Sequence, residues 1–331
     1  MKILLLTEKD VEQLLSIDEV MEAVESAFKE KGLGRVQMPA KLYLFYGKYG
    51  GDLRTMPSYL EQLDVSAVKI VNVHPENPKK YGLPTVMAII TLVNPKTGAP
   101  LAIMGGTKVT SMRTGAAGGV AAKYLARKDS KVVGLVGAGA QARTQLTALL
   151  CLYRKLEEVR VWSRTEKTRD AYVAEMKTAC GEVARMVSVD SVEKAVEGAD
   201  VIVTTTPSRE PVVSGEWVAP GMHINCIGAD APGKEELDPT ILTRAKIVVD
   251  DWEQAFHSGE INVPSAKGII TDEHVWGDIG EVVAGLKPGR TSSDEITVFT
   301  STGLAVQDAV TAELAYKKAL AKKMGRFIEI M

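Results

Sequence analysis

The feature that most constrains the fold is a turn of small residues, Gly137-Ala138-Gly139-Ala140-Gln141-Ala142, between two apolar segments. Val132–Val136 before it is continuously apolar, as a buried parallel strand is, and Leu146, Leu149 and Leu150 after it share one helix face. In such a context the first glycine permits the tight turn, the second lets backbone N–H groups approach a pyrophosphate, and a small third residue lets the helix pack closely. The pattern predicts a dinucleotide-binding turn, with an unrelated glycine-rich turn as the alternative.

The segments after this turn repeat the order strand, helix, strand. Apolar strands are predicted at 132–136, 158–162, 186–189, 201–204, 223–227 and 245–249. This alternation is typical of an α/β domain with a doubly wound parallel sheet. We therefore predict a Rossmann domain over residues 115–298.

The two ends of the chain show a different pattern. A helix is predicted between Ser16 and Gly34, and another at 110–127. Short strands of a mostly antiparallel sheet are predicted at 41–46, 65–73, 86–93 and 101–104. A last helix is predicted to run to Lys323, with Ser301 and Thr302 offering its N-cap. We predict that residues 1–114 and 299–331 form one α+β domain.

Composition narrows the class of partner. A chain of 331 residues is long enough for two cores, and its formal net charge of −2 provides no electrostatic reason to bind nucleic acid or an anionic membrane. Cys151, Cys180 and Cys226 lack zinc spacing, which favours buried free thiols and no metal. The sequence has neither a signal peptide nor an apolar run that would span a bilayer. We expect a cytoplasmic protein with a small-molecule ligand.

The end of the second predicted strand bears on which dinucleotide is bound. An NAD-selective domain places a carboxylate here, on the ribose hydroxyls, whereas this chain has Ser163-Arg164-Thr165. Arg164 can pair with a 2′-phosphate, and the flanking hydroxyls can donate to it. We predict that NADPH is accepted as well as NADH; the alternative is that Arg164 is a solvated loop residue.

Polar residues also follow the fourth and fifth predicted strands, at the edge where ligands of such sheets bind. Thr204-Thr205-Thr206 is predicted to line the nicotinamide ribose, with an N-cap before Pro207 as the alternative. Asp230 is the candidate acid/base, with a turn residue before Pro232 as the alternative.

Four cations in the first domain are candidates to bind an anion. Lys69 shares a strand face with apolar residues, where an ammonium group needs a partner such as a ligand carboxylate, unless it snorkels to water. Arg113 lies in the first turn of the helix predicted from Thr110, where the helix dipole disfavours a cation. A bound anion would offset it, and a salt bridge within the fold is the alternative. Lys41 and Arg54 flank a glycine-rich turn and add two further cations.

Taken in order, these segments resemble the ornithine cyclodeaminase/mu-crystallin family over nearly the whole chain. The matching elements are Arg54-Thr55-Met56-Pro57, Val68-Lys69, Thr85-Val86-Met87-Ala88, Arg113-Thr114, the Gly137 turn with Gln141, residues 229–237 and residues 298–308. The resemblance implies that the first domain binds substrate and forms a homodimer. It also implies that Lys69 and Arg113 hold a substrate carboxylate and that Asp230 manages the protonation of an amine or imine. Thr85 and Thr302 are added to the predicted cofactor contacts.

The chain also departs from parts of the family pattern. Cyclodeaminases of the family carry a glutamate where this chain has Arg54, whereas the family's alanine dehydrogenases are similar to this chain in having arginine. Mu-crystallins lack the aspartate at Asp230 but resemble the chain around Ser163-Arg164-Thr165. The resemblance therefore implies reduction of a small 2-imino carboxylate by NAD(P)H, with Δ1-pyrroline-2-carboxylate, giving L-proline, as the favoured substrate. Alanine dehydrogenase, ornithine cyclodeaminase with recycled NAD, and a non-catalytic NADPH-dependent binding protein stay open.

Overall fold

The computed structural model describes residues 1–181 and 184–329 and confirms the α/β class. The chain divides into two compact units, one formed by Met1–Arg113 with the chain from Leu304 onward, the other by Thr114–Gly303. The strands are β1 (Lys2–Leu6), β2 (Val36–Gln37), β3 (Leu42–Tyr46), β4 (Gly51–Leu60), β5 (Val65–Val73), β6 (Val86–Val93), β7 (Pro100–Gly105), β8 (Val132–Val136), β9 (Glu158–Trp162), β10 (Arg185–Ser188), β11 (Val201–Thr204), β12 (Arg209–Val213), β13 (His223–Cys226), β14 (Glu235–Leu237), β15 (Lys246–Val249), β16 (Val275–Asp278), β17 (Thr297–Thr300) and β18 (Arg326–Glu329). The helices are α1 (Glu8–Leu14), α2 (Ile17–Gly32), α3 (Asn77–Lys80), α4 (Gly106–Leu125), α5 (Ala140–Leu152), α6 (Glu166–Cys180), α7 (Val192–Val196), α8 (Pro239–Leu242), α9 (Trp252–Ser258), α10 (Asn262–Ala266), α11 (Ile279–Val283) and α12 (Ala305–Lys322).

The first unit is built on a mixed sheet with the strand order β18-β1-β7-β6-β5-β4-β2, and β3 pairs with β4. Strands β5 to β7 are antiparallel neighbours, as the sequence predicts, and β4, which the sequence does not predict, pairs antiparallel with β5. Along β5, Val65, Ala67, Lys69 and Val71 point to the buried face, because side chains alternate across a strand. Helix α12 packs against β5 and α2. Lys69 therefore lies in the interior of this unit.

Two predicted helix starts are wrong, and both bear on the site. Helix α4 begins at Gly106, so Arg113 lies about two turns into the helix and the argument from the helix dipole does not apply to it. Helix α12 begins at Ala305, so Ser301 and Thr302 are not its N-cap. Their hydrogen bonds go to Asp250 instead.

The second unit contains an all-parallel sheet with the strand order β10-β9-β8-β11-β13-β17-β15-β16. Along β11, Val201 and Val203 belong to one hydrophobic cluster and Ile202 belongs to another. Because neighbouring side chains point to opposite faces, the two clusters cover the two faces of the sheet. This confirms the doubly wound sheet. The strand order reverses between β8 and β11, the place where such sheets form a ligand crevice.

Two further expectations can be compared with the structure. The three cysteines are thiols, but only Cys226 is buried; Cys180 is half-buried and Cys151 is exposed, so the expectation of buried thiols is wrong for Cys151. Among the helices that the structure describes, none has both the length and the apolar character needed to cross a bilayer.

Candidate active site

The glycine turn has the conformation that a dinucleotide fingerprint requires. Gly137 has φ +115°, which L-residues rarely adopt, and a Cβ placed there would lie 2.5 Å from Thr205 Oγ1. Gly139 caps α5, and a Cβ at this position would have no described neighbour within 4 Å, so its backbone faces open space. Ala142 is fully buried, and its carbonyl accepts a hydrogen bond from the Tyr172 hydroxyl at 2.9 Å. These features fit a pyrophosphate at the start of α5.

A cavity of about 380 Å³ opens at this turn, within the size range of small-ligand pockets. It brings together three of the predicted cofactor segments: Gly137-Ala138-Gly139, Ser163-Arg164-Thr165 and Thr205-Thr206. Ala140 is the first residue of α5, and Gln141 follows it with its Oε1 buried and without a described hydrogen-bond partner. The cavity thus has the location and the lining that a dinucleotide needs.

The segment Ser163-Arg164-Thr165 is shaped by hydrogen bonds within the loop. Ser163 Oγ donates to the Thr165 carbonyl at 3.1 Å, and Thr165 Oγ1 accepts from the Thr168 N–H at 3.3 Å and so caps α6. Arg164 between them is exposed, lines the cavity and forms no ion pair with any described residue. The guanidinium is therefore available to an anion at this end of the cavity.

A buried glutamate that the sequence argument missed holds the threonine segment. Glu236 Oε2 accepts from Thr204 Oγ1 at 2.8 Å and from the Gly228 N–H at 2.9 Å, while Oε1 accepts from the Thr206 N–H at 2.6 Å. No helix starts at Thr204-Thr205-Thr206, so the N-cap alternative is wrong. Glu236 thus ties the loop after β11 to the loop after β13.

A second buried carboxylate lies next to Glu236. Glu260 Oε1 accepts from the backbone N–H groups of Glu236 and Leu237, at 2.8 and 2.6 Å. Burial raises the pKa of Glu236, and burial together with Glu236 raises the pKa of Glu260 well above its usual range. The sequence signal for this arrangement is limited to β14, where two glutamates precede a leucine in a short buried strand.

Asp230 lies in the loop after β13. Its Oδ1 is 2.6 Å from Lys234 Nζ, and the side chain is 36% exposed. Lys234 also donates to the Gly228 carbonyl at 3.3 Å, which links the ammonium group to the segment that Glu236 holds. The role of Asp230 as an acid/base stays a prediction.

The first unit contains a buried cation cluster, made of Lys69, Arg113 and Asp308. Lys69 is 1% exposed and its Nζ lies 2.6 Å from Asp308 Oδ2, so the snorkelling alternative is wrong. Arg113 Nε donates to Asp308 Oδ1 at 3.0 Å, and Nη1 donates to Gln307 Oε1 at 3.0 Å. For Arg113, the alternative of a salt bridge within the fold is therefore correct. Lys69 and Arg113 nevertheless share one carboxylate between two cations. Asp308 and Gln307 were missed, although the matched segment 298–308 ends on Asp308.

The other candidates in the first unit are Arg54, Lys41 and Thr85. Arg54 lies within β4 and forms an ion pair with Asp52, at 2.9 and 3.1 Å, beside the ring of Tyr43. Lys41 directly precedes β3 and is half-buried. The Thr85 carbonyl accepts from the His74 N–H at 2.8 Å.

Thr302 is buried in the loop between β17 and α12. Its N–H and hydroxyl donate to Asp250, at 2.6 and 3.1 Å, and the Gly303 N–H donates to the same carboxylate at 2.8 Å. Asp250 therefore fixes the conformation of this loop. The predicted cofactor contact of Thr302 is not tested by these hydrogen bonds.

Among residues 1–181 and 184–329, no group of three or more metal-ligating side chains is found. The parallel sheet, the glycine turn and the cavity define a dinucleotide-dependent enzyme. The sequence model of the ornithine cyclodeaminase/mu-crystallin family matches residues 1–323. The chain belongs to this family and is an oxidoreductase.

The chain is similar to two kinds of enzyme in this family. The alanine dehydrogenase of Archaeoglobus fulgidus is 53% identical over 99% of both chains. An archaeal alanine dehydrogenase dimer with bound NAD has 52% identity and a TM-score of 0.95, with 100% of each chain covered. The Δ1-pyrroline-2-carboxylate reductase of Thermococcus litoralis, solved with NADH and L-proline, has 45% identity and a TM-score of 0.94, covering 98% of this chain and 99% of that one.

Proposed function

We propose that the chain is an NAD(P)H-dependent oxidoreductase that acts on the C–N bond of small 2-imino and 2-amino acids. The observation that carries this proposal is the buried pair of Lys69 and Arg113, which share the single carboxylate of Asp308. Excess positive charge in a buried position favours an anionic ligand, and a carboxylate matches it in size and charge. The names of the similar proteins, alanine dehydrogenase and Δ1-pyrroline-2-carboxylate reductase, support the same substrate class.

In this proposal each residue has a defined task. Lys69 and Arg113 bind the substrate carboxylate, and Lys41 and Arg54 add positive charge around it. Asp230, with Lys234 beside it, holds the proton exchanged with the substrate nitrogen. The nicotinamide, when bound, supplies or accepts the hydride. The residues lining the cavity, with Thr302 and Thr85, hold the dinucleotide.

Among substrates, we propose Δ1-pyrroline-2-carboxylate first, with L-proline as the product. Pyruvate with ammonia, giving L-alanine, is the second candidate because the similar proteins include alanine dehydrogenase. Ornithine is disfavoured because the carboxylate of Asp52, which could otherwise bind a second amine, is paired with Arg54 through two hydrogen bonds. The cyclodeaminase alternative and a purely ligand-binding role predict no net turnover of the dinucleotide.

We further propose that the first unit forms a homodimer as well as binding substrate. Leu42 and Leu44, which point to one side of β3, are 55 and 51% exposed, and Phe45, which points to the other side, is 73% exposed. Large apolar side chains this exposed are costly to leave in water. One similar protein is described as a dimer. Light scattering of the purified chain tests this point: a monomer at micromolar concentration would contradict it.

Steady-state oxidation of NADH and NADPH tests the proposed function. The panel compares Δ1-pyrroline-2-carboxylate, pyruvate with ammonia, and ornithine under identical conditions. Turnover with either of the first two supports the proposal and ranks its substrates. Ammonia release from ornithine without consumption of dinucleotide would establish the cyclodeaminase alternative instead. An absence of turnover with every compound, together with tight ligand binding, would leave only the binding role.

A further inference from the structure

Asp308 links the two cations to which the proposed function assigns the substrate carboxylate. It lies in the first turn of α12 and is 1% exposed, and its two oxygens contact different elements: Oδ2 contacts Lys69 on β5 and Oδ1 contacts Arg113 on α4. Gln307, the preceding residue, accepts the second hydrogen bond from Arg113. One carboxylate therefore fixes the positions of both cationic groups.

The charge balance of this cluster depends on the protonation of Lys69. With Lys69 protonated, the two cations and one carboxylate leave one positive charge in excess; with Lys69 neutral, the charges cancel. Burial lowers the pKa of Lys69 to about 7; repulsion from Arg113 on α4 and from Lys41 before β3 acts in the same direction, and Asp308 opposes them. Both forms of Lys69 are thus populated near neutral pH, and a bound anion favours the protonated form.

We propose that Asp308 is a positioning residue that orients Lys69 and Arg113 and lets Lys69 take up a proton near neutral pH, so that a carboxylate ligand binds together with a proton. This inference rests on the proposed function for the identity of the ligand. Without Asp308, the repulsion from Arg113 and Lys41 would lose the carboxylate that opposes it, and Lys69 would release its proton at a lower pH. With a ligand carboxylate in place, the cluster has two anions for two cations, and the proton on Lys69 is retained.

A purely structural role for Asp308 predicts something different. The residue connects α4, β5 and α12, and an ion pair could do no more than hold these elements together. Buried ion pairs contribute little net stability when compared with apolar packing. A structural ion pair would also leave ligand binding unaccompanied by proton uptake. The number of protons taken up on binding therefore separates the two roles.

Calorimetry with pyrrole-2-carboxylate measures this number on the intact protein saturated with NADH. This probe is a planar carboxylate without a basic amine, so protons exchanged between pH 6 and pH 8 belong to the protein. The titration is repeated in phosphate and in imidazole, which both buffer at pH 6 and pH 8 and whose ionisation enthalpies differ. A pKa of about 7 leaves Lys69 about a tenth protonated at pH 8. A ligand carboxylate that raises this pKa by roughly 1–3 units gives an uptake of about 0.4–0.9 proton at pH 8 and about 0.1 at pH 6.

Two variants of the cluster and one control sharpen the test. Asp308→Asn keeps the shape of the side chain but removes its charge, so the pH window of proton uptake should move down by roughly 1–3 units. Where the substitution lowers the pKa of Lys69 by as much as the ligand raises it, uptake should be about 0.4–0.9 proton at pH 6 and below about 0.1 at pH 8, the reverse of the wild type. Lys69→Arg cannot lose its proton and should abolish uptake at both pH values. Asp64→Asn, on an exposed turn, makes the same chemical change away from the cluster and should match the wild type.

Each outcome decides one of the two proposals. Uptake below about 0.1 proton at pH 8 in the wild type, or an unchanged window in Asp308→Asn, overturns the role of Asp308. If the expected number of protons is taken up on binding but no imino acid oxidises NADH or NADPH, the proposed function is wrong and the proposed role of Asp308 is supported. A failure of pyrrole-2-carboxylate to bind at either pH overturns both. If Asp308→Asn does not fold, the wild type and Lys69→Arg still decide the question.

Discussion

Replacement of Arg164 by alanine tests which dinucleotide the cavity accepts. Arg164 follows β9, lines the cavity and is exposed, and its guanidinium forms no ion pair in the described part of the chain. A hydrogen bond to a charged group contributes roughly 1.5–3 kcal/mol, and solvent exposure places this one at the lower end. Since about 1.4 kcal/mol corresponds to a tenfold change, Arg164→Ala should raise KM for NADPH about tenfold. KM for NADH, which has no 2′-phosphate, should change less than about twofold on the same scale.

The assay is steady-state oxidation of each reduced dinucleotide at a saturating concentration of imino acid. Lys167→Ala is the matched control, because Lys167 is an exposed cation on the first turn of α6 and does not line the cavity. It should leave both KM values unchanged. An equal loss for NADPH and NADH would show that Arg164 contacts a part common to both dinucleotides. No loss for NADPH would establish the solvated-loop alternative.

Three further predictions concern other parts of the second unit. Gly137→Ala should abolish dinucleotide binding in a folded protein, because its Cβ would meet Thr205 Oγ1 at 2.5 Å in a backbone conformation with φ +115°; fluorescence titration with NADH and a circular dichroism spectrum check this, and wild-type affinity would refute the steric argument. Asp230→Asn should lower kcat at least about a hundredfold while leaving dinucleotide affinity unchanged; unaltered turnover would remove Asp230 from the chemistry. His223 is fully buried, and its pKa is lowered to about 3, first by burial and then by Arg290. Because the unfolded chain takes up a proton near pH 6.5 and the folded chain does not, the free energy of unfolding should fall by about 2 kcal/mol between pH 7.5 and pH 5. In His223→Gln this decrease should be smaller by that amount in urea titrations, and parallel pH profiles would contradict the assignment.

The parallel sheet could be predicted from the sequence because its strands are buried on both faces. Val132–Val136, Glu158–Trp162 and Val201–Thr204 occur with the predicted bounds, since a continuous apolar run ends where burial ends. Strand β4 was not predicted. It contains Asp52, Arg54 and Pro57, which weaken a strand pattern, but Asp52 and Arg54 compensate each other and the strand pairs with β5 along its length.

Parts of the candidate site could be predicted only where neighbouring residues in the sequence are enough to indicate the function. The glycine turn carries its own geometry, and an ammonium group at position 69 stands out against its apolar neighbours. Asp308 could not be assigned because it acts through the packing of α12 on β5, which joins positions far apart in the sequence. Glu236 was missed for the same reason, since its partners Thr204 and Gly228 lie on other loops.

In the proposed function, the nicotinamide exchanges hydride with the carbon of a C=N bond that carries a carboxylate. The direct test uses NADPH or NADH with two deuterium atoms at C4 of the nicotinamide ring, incubated with Δ1-pyrroline-2-carboxylate or with pyruvate and ammonia. The account predicts proline or alanine that contains one deuterium, bound to Cα, as read by mass spectrometry. Amino acid formed without deuterium, or labelled dinucleotide left unconsumed with both substrates, would contradict it.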